Sequence, residues 1–335
     1  MPMLDPFSTS AFSMASLTGA INVVPNQYGR YQSLGIFPER GVRTTHVVVE
    51  HRNGVLNLLP FVARGGDASK GQVGKREVRS FIIPHIPHED VVLPEEVQDI
   101  RGFGSETEMD ALQQLINDKL MTMSMKHDIT REWLIANALR GIVRDADNTV
   151  VLDYFGAFGI TQQVQNFDFG TLDAPRTAAV ALLRYMQDNL LGETMTGIRV
   201  FCSPGFWDAF IADPTVKAAW DKWQDGAWLR QNPLDAFPLW GLSWEEYRGQ
   251  ASDAAGNARL FIEANKAVAI PMGTTNTFQM VYGPADFNET VNTIGRRMYA
   301  KQVQRKFERG WDLHSQSNPL PLCFRPKLLV SCTHS

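Results

Sequence analysis

The sequence predicts an α+β fold with more than one lobe, and three observations carry that prediction. A chain of 335 residues exceeds the roughly 250–300 residues at which one hydrophobic core usually stops growing. One helical pattern, from Ser105 to Arg140, is too long for an ordinary connector. The other strands and helices are grouped unevenly, without the regular alternation of a doubly wound sheet. Hydrophobic residues are 44% and charged residues 20% of the chain, a globular balance that argues against disorder.

Residues 1–43 read as an arm, punctuated by Pro2, Pro6, Pro25 and Pro38. Residues 44–62 carry a hairpin signal, with Asn53-Gly54 suited to a turn that needs positive φ at both positions. The Gly- and Lys-containing segment 64–76 reads as a flexible loop, so 44–83 forms a two-stranded excursion. Such a ribbon is at best marginally stable alone and needs something to lie on. Ser105 and Glu108 then form a capping-box pattern. Met109, Leu112, Ile116, Leu120 and Met123 follow at steps of three and four, and Ile129, Trp133 and Ala136 resume the stripe after Lys126-His127-Asp128. Gly141 is the expected stop. The helix would be about 50 Å long at 1.5 Å per residue, a spine with a kink near Asp128. Its packing residues are Leu112, Ile116, Leu120 and Trp133.

A tight hairpin follows over 141–154. Helices are predicted at 175–192, 204–211 and 214–223, the last two with proline in the first turn. Strands are predicted at 198–202, 238–247, 259–263, 267–271, 278–282, 294–304 and 321–331. There is no internal repeat.

Function classes fall away in turn. The formal charge of −4 lacks the basic excess of a dedicated nucleic-acid binder. Cys202, Cys323 and Cys332 are too few and scattered for a disulfide framework, which points to a reducing folding compartment. The N-terminal residues do not read as a signal peptide, and no stretch approaches the ~18 apolar residues of a membrane span. Gly74-Lys75 is followed by Arg76 and preceded at the required distance by Ser69, so it fails as a phosphate-binding loop. His85 and His88 flank Ile86-Pro87 in extended chain, where residues three apart face opposite ways, so no metal is expected. Ser203-Pro204-Gly205 reads as a strand-to-helix turn and not as a nucleophile. The pairs Glu95-Glu96 and Glu245-Glu246 read as solvated carboxylates. Six of the eight tryptophans lie between Trp207 and Trp244, at spacing more typical of core or subunit interface than of a stacking platform. No cofactor and no catalytic residue is assigned.

The order of parts resembles the major capsid proteins of tailed phages, the Hong Kong 97-type fold, and specifically the lambda-type major capsid protein E family. The resemblance rests on Phe37-Pro38-Glu39 before the hairpin, Arg64-Gly65-Gly66 at the extended loop, and Ala138-Leu139-Arg140-Gly141 through Asp153. It continues in Ile198 to Trp207 and in the run from Ala267 to Val330, with Gly273-Thr274, Tyr282-Gly283 and Ser317-Asn318-Pro319-Leu320-Pro321.

The resemblance implies an N-terminal arm (1–43), an E-loop (44–90), a peripheral domain (91–170, spine helix 105–140), an axial domain (171–284) and a C-terminal peripheral part (285–335). It implies an intersubunit E-loop tip comprising Arg64, Gly65, Gly66, Lys70, Gly71, Lys75 and Arg76. It further implies pentamers and hexamers of the chain itself, with scaffolding, portal and decoration proteins as partners. The packaged double-stranded DNA would be held without sequence specificity, and no membrane is involved. The expected place is the virion, after assembly in the bacterial cytoplasm. Lambda-type members have no fused scaffolding segment, and a chain that starts close to its arm agrees with that expectation. Lys70 and Lys75 sit where cross-linking members carry a reactive lysine, but no motif assigns an asparagine partner, so cross-linking is not expected. The alternatives are a cytoplasmic enzyme or a nanocompartment shell of the same fold.

Overall fold

A mixed six-stranded sheet, buried on both faces, partitions the molecule. The computed structural model describes residues 29–52, 76–93, 95–96, 108–225 and 236–335. Across the sheet the strands run Val164–Phe167, Val330–His334, Lys266–Met272, Gly197–Cys202, Leu242–Glu246 and Phe237–Leu239. Because side chains alternate across a strand, neighbouring residues enter different cores. Ile198, Val200, Cys202, Ala267 and Ala269 face one hydrophobic cluster, while Phe201, Val268 and Ile270 face the other. This two-sided burial explains the continuous apolar run Ala267–Met272, where a half-exposed strand would alternate.

On the first face lie the helices Ala174–Asn189, Pro204–Ala212 and Pro214–Asp225. Ala178, Ala179, Leu182 and Met186 recur at helical spacing and fill this core with Phe206, Phe210 and Trp244. On the second face lies the end of a helix spanning Glu108–Leu139. There Trp133, Leu134, Ile135, Ala136, Ala138 and Leu139 join Tyr31, Ile36, Phe37 and the three-stranded sheet Glu39–Gly41, Phe278–Tyr282, Pro319–Cys323. A second three-stranded sheet, Tyr299–Gln304, Trp311–Ser317 and Ile86–Val92, lies along the middle of the long helix. Met123 packs there against Val92 and Leu313, with half-buried Leu120 beside them.

The long helix runs without interruption through Lys126-His127-Asp128. The polar residues do not break the stripe, because His127 is itself buried and bonds Ser315 across the seam at 2.9 Å. Beyond it the stripe widens to the whole circumference: Arg131, Glu132 and Asn137 are buried with their apolar neighbours. The side chains of Leu112 and Ile116 lie outside those described.

Several other expectations need correction. Residues 29–43 are no free arm: Tyr31, Ile36 and Phe37 are core, and Glu39–Gly41 pairs in parallel with Met280–Tyr282. Strand His46–Arg52 pairs antiparallel with Arg76–Ile82, register His46 to Ile82 through Arg52 to Arg76, and the Asn53-Gly54 turn lies outside the described residues. The stretch 321–331 is two strands, not one, because Pro326 seats a 3-10 turn at Pro326–Leu328. Cys323 and Cys332 therefore sit in different sheets and different cores. The stretch 238–247 is a hairpin whose turn residues Trp240 and Gly241 have φ of 54° and 79°. Trp311–Ser317, whose polar composition carries no strand signal, forms the central strand of the second three-stranded sheet.

The sheets also join stretches that the implied division of the chain keeps apart. Strands Val164–Phe167 and Val330–His334 fall in the stretches allotted to the peripheral domain, yet they hydrogen-bond into the six-stranded sheet. Strand Phe278–Tyr282, allotted to the axial domain, pairs instead beside Glu39–Gly41 in the core of the long helix.

The long helix stops at Gly141, whose φ of 91° suits a residue without Cβ. A Cβ there would enter the Phe155 ring. Gly141→Ala is expected to lower the unfolding free energy by roughly 2–4 kcal/mol, combining backbone strain with overpacking. Urea unfolding checks this; an unchanged midpoint would contradict the account of the helix stop.

Candidate assembly surfaces

The ribbon of strands His46–Arg52 and Arg76–Ile82 has two unlike faces. Residues opposite each other share a face, so Val47 with Phe81 and Val49 with Arg79 point one way. Val49 is buried, Val47 and Phe81 pack against the second core, and the Arg79 guanidinium lies 4.9 Å from the Phe158 ring centroid. Val48 and Ile82 point the other way and are 53% and 79% exposed. The base of the ribbon is thus anchored on its own subunit, and its outer face presents apolar side chains to solvent. The expected tip residues Arg64, Gly65, Gly66, Lys70, Gly71 and Lys75 lie outside the described residues. Of Arg76 only the backbone is described, paired with Arg52.

A second surface is the tip of the hairpin Tyr299–Ser317. Phe307 is 87% exposed there at φ 62°, an uncommon conformation for a bulky residue. Exposed Val303, Arg305, Lys306 and Arg309 surround it. These residues were not singled out in the sequence. The available signal was an aromatic inside a basic turn, which hydrophobic periodicity does not detect. Leu172, in the loop before helix Ala174–Asn189, is also exposed.

Positions considered for chemistry are occupied structurally. Ser203 is buried, and its hydroxyl accepts the Lys266 N–H at 3.1 Å. Glu245 pairs with Arg30 at 2.5 Å and Arg199 at 3.0 Å, while Glu246 faces Arg248. Glu96 pairs with Lys119 at 2.7 Å. His85 contacts Gln316 and Asn318, and His88 contacts Lys126. Among the described residues no three His, Cys, Asp or Glu side chains converge as a metal site. The described tryptophans of the cluster pack inward: Trp244 stacks on Phe210 at 4.4 Å and Trp207 meets Trp220 edge-on at 5.4 Å. Two surface depressions, beside Arg140 and beside Tyr31, measure about 90 Å³ each, well below the roughly 300–1,000 Å³ of ordinary ligand pockets.

A buried carboxylate holds the parts that carry these surfaces. Glu132, on the long helix, accepts the Tyr31 and Gln32 backbone N–H groups at 2.7 and 3.2 Å and the Tyr247 hydroxyl at 3.0 Å. Burial pushes its carboxyl up, opposed by those same hydrogen bonds. The Tyr31 ring meets Phe201 and Tyr247 edge-on at 4.8 and 4.7 Å. Arg131 bonds Gln32 and Asp128, and Arg297 reaches Asp128 at 3.1 Å. The short helix Arg30–Ser33 is therefore bolted to the long helix on one side and to the six-stranded sheet on the other.

Residues 13–334 match the family model described as phage major capsid protein E. The chain is 29% identical to the major capsid protein of Salmonella phage Felix O1 (isolate Felix O1-VT1), covering 98% of each chain. It is 28% identical to that of Pseudomonas phage KPP10, covering 97% of each. The structure is similar to the capsid of Ralstonia phage GP4, with a TM-score of 0.54 at 11% identity, over 99% of this chain and 96% of that one.

Removing the Glu132 carboxylate by Glu132→Ala leaves the Tyr31 and Gln32 N–H groups and the Tyr247 hydroxyl without their acceptor and is expected to cost roughly 3 kcal/mol or more, at about 1–3 kcal/mol per unsatisfied group. Glu132→Gln keeps an acceptor oxygen and is expected to cost less. Urea unfolding of the two variants distinguishes these outcomes; equal, small losses would mean that the clamp does not hold the arm.

Proposed function

The chain belongs to the phage major capsid protein E family, and from that premise we propose that its copies close into pentamers and hexamers forming the icosahedral head of a tailed phage around double-stranded DNA. The role is structural, with no catalytic residue. The observation that carries this reading is the outer face of the ribbon, where Val48 and Ile82 are exposed on an element too thin to have its own core. Such a face gains stability by lying on a neighbouring copy. A heterologous contact of this kind closes into rings when the rotation per copy suits. The exposed Phe307 tip supplies a second candidate contact.

In this reading residues 1–43 are the N-terminal arm, 44–90 the E-loop, and the long helix the spine of the peripheral domain. The axial domain centres on 171–284 and takes in the strands at 164–167 and 330–334. Arg64, Lys70, Lys75 and Arg76 would meet acidic groups of the neighbour at the E-loop tip. A formal charge of −4 suits a wall that holds DNA without gripping it. Scaffolding, portal and decoration proteins are the expected partners, assembly takes place in the host cytoplasm, and the finished shell is part of the virion.

Replacing Val48 and Ile82 together by Glu tests the ribbon. Both side chains are exposed, so the subunit's own stability should change by only about 0.5 kcal/mol per site, while shells seen in negative stain should be lost. Normal shells from this variant would remove the ribbon face from the interface. Deleting residues 65–75 and closing with a short Gly-Ser turn should leave a folded subunit by circular dichroism, because closure entropy depends weakly on loop length. Sedimentation should then show absent or unstable shells; stable ones would refute the placement of the E-loop tip.

A further inference from the structure

Four of the seven histidines, His85, His88, His127 and His314, lie where the long helix crosses the sheet of Ile86–Val92 and Trp311–Ser317. His127 is buried on the helix, and its Nε2 lies 2.9 Å from Ser315 Oγ. Ser315 has one hydroxyl proton and gives it to the His88 carbonyl at 3.3 Å, which leaves His127 Nε2 as the donor and Nδ1 as the site for an added proton. His88 Nε2 lies 3.0 Å from Lys126 Nζ. An ammonium only donates, so this contact exists only while His88 Nε2 carries no proton. The two imidazoles meet edge-on, with centroids 6.5 Å apart.

We propose that this helix–sheet seam is a proton-operated hinge: it is closed while His88 and His127 are neutral and loosens when acid charges them. Both protons would arrive on one small cluster that already holds the Lys126 cation. The anions facing it are engaged elsewhere. Asp128 pairs with Arg131 at 3.0 Å and Arg297 at 3.1 Å, Glu89 pairs with His314 at 3.0 Å, and Asp90 lies 3.9 Å from Lys119. On the sheet side Ser315 and Gln316 offer only neutral partners. The sheet on the far side of the hinge carries the Phe307 tip, so opening it would reposition that surface relative to the spine.

The sign follows from the same geometry. Burial holds His88 and His127 below the ordinary histidine value, aided by Lys126 for His88 and by His88 for His127. Between those depressed values and about 6.5, the unfolded seam binds more protons than the folded one. Seam stability is therefore complete above about pH 6.5 and declines as pH falls through that window.

Hydrogen–deuterium exchange on the full-length chain, at about pH 7.5 and about 5.5 on either side of the ordinary histidine value, tests the hinge. After correction for intrinsic rates, protection of 86–92 and 311–317 should fall by roughly tenfold in acid, while 197–202 and 266–272 hold theirs. His88→Asn with His127→Gln should abolish the difference. Lys126→Met, an exposed position that leaves both imidazoles in place, removes the cation that holds His88 down, so it should shift the acid transition of the seam upward toward the ordinary histidine value and reduce its size. This milder variant decides the matter if the double variant does not fold. Uniform loss across both sheets, unchanged protection of the seam, or an unshifted transition in Lys126→Met would each overturn the proposal.

Discussion

The six-stranded sheet must be covered on both faces, and most of the architecture follows from that constraint. Strand Lys266–Met272 sends Ala267 and Ala269 to one core and Val268 and Ile270 to the other. Neither core can form without the sheet, since each uses it as a wall. The helices Ala174–Asn189 and Pro204–Ala212 close one side with an aromatic cluster centred on Trp244 and Phe210. The buried end of the long helix, together with the arm segment, closes the other. Lobes joined in this way share a rigid partition, so bending between them is resisted by sheet hydrogen bonds and not by linker stiffness.

Burial on two sides creates a polar problem at the corner where helix, arm and sheet meet, and Glu132 resolves it. The first turn of a short helix has backbone N–H groups without intrahelical partners. Those of Tyr31 and Gln32 are satisfied by a carboxylate from another helix. Arg30 meanwhile reaches Glu245 on the sheet. The corner thus turns residues that punctuation alone marks as an extended arm into part of the core. The C-terminal chain strengthens the same junction: Pro319–Cys323 lies in one core and Val330–His334 in the sheet that borders the other, with Pro326 turning the chain between them.

With the interior closed, two thin elements are left with exposed apolar side chains. The ribbon rests one face on Phe158 and the core and leaves Val48 and Ile82 outside. The hairpin Tyr299–Ser317 leaves Phe307 at its tip in a left-handed conformation. A subunit of a closed shell needs contacts at its extremities, and these elements place apolar side chains there without weakening either core. The described aromatics of the tryptophan-rich segment, Trp207, Trp220 and Trp244 among them, by contrast pack against one another and the core.

What the sequence by itself determined is local and periodic. The three–four spacing that runs on through Leu120, Met123, Trp133 and Ala136 marks the long helix, while Ser105 of the capping-box pattern lies outside the described residues. Proline placement marks the starts at Pro204 and Pro214. The apolar run at 267–271 marks a strand, and the order of motifs marks the capsid family. Each of these depends on residues close together in the chain. What only the tertiary structure decided is pairing at a distance. That His46–Arg52 takes Arg76–Ile82 as partner, that Tyr31 is core, and that polar Trp311–Ser317 is a central strand all rest on groups far apart in sequence. Buried His127, Glu132, Ser315 and Gln316 read as surface until their hydrogen-bond partners are known, because a polar side chain enters an interior only when a distant partner meets it there.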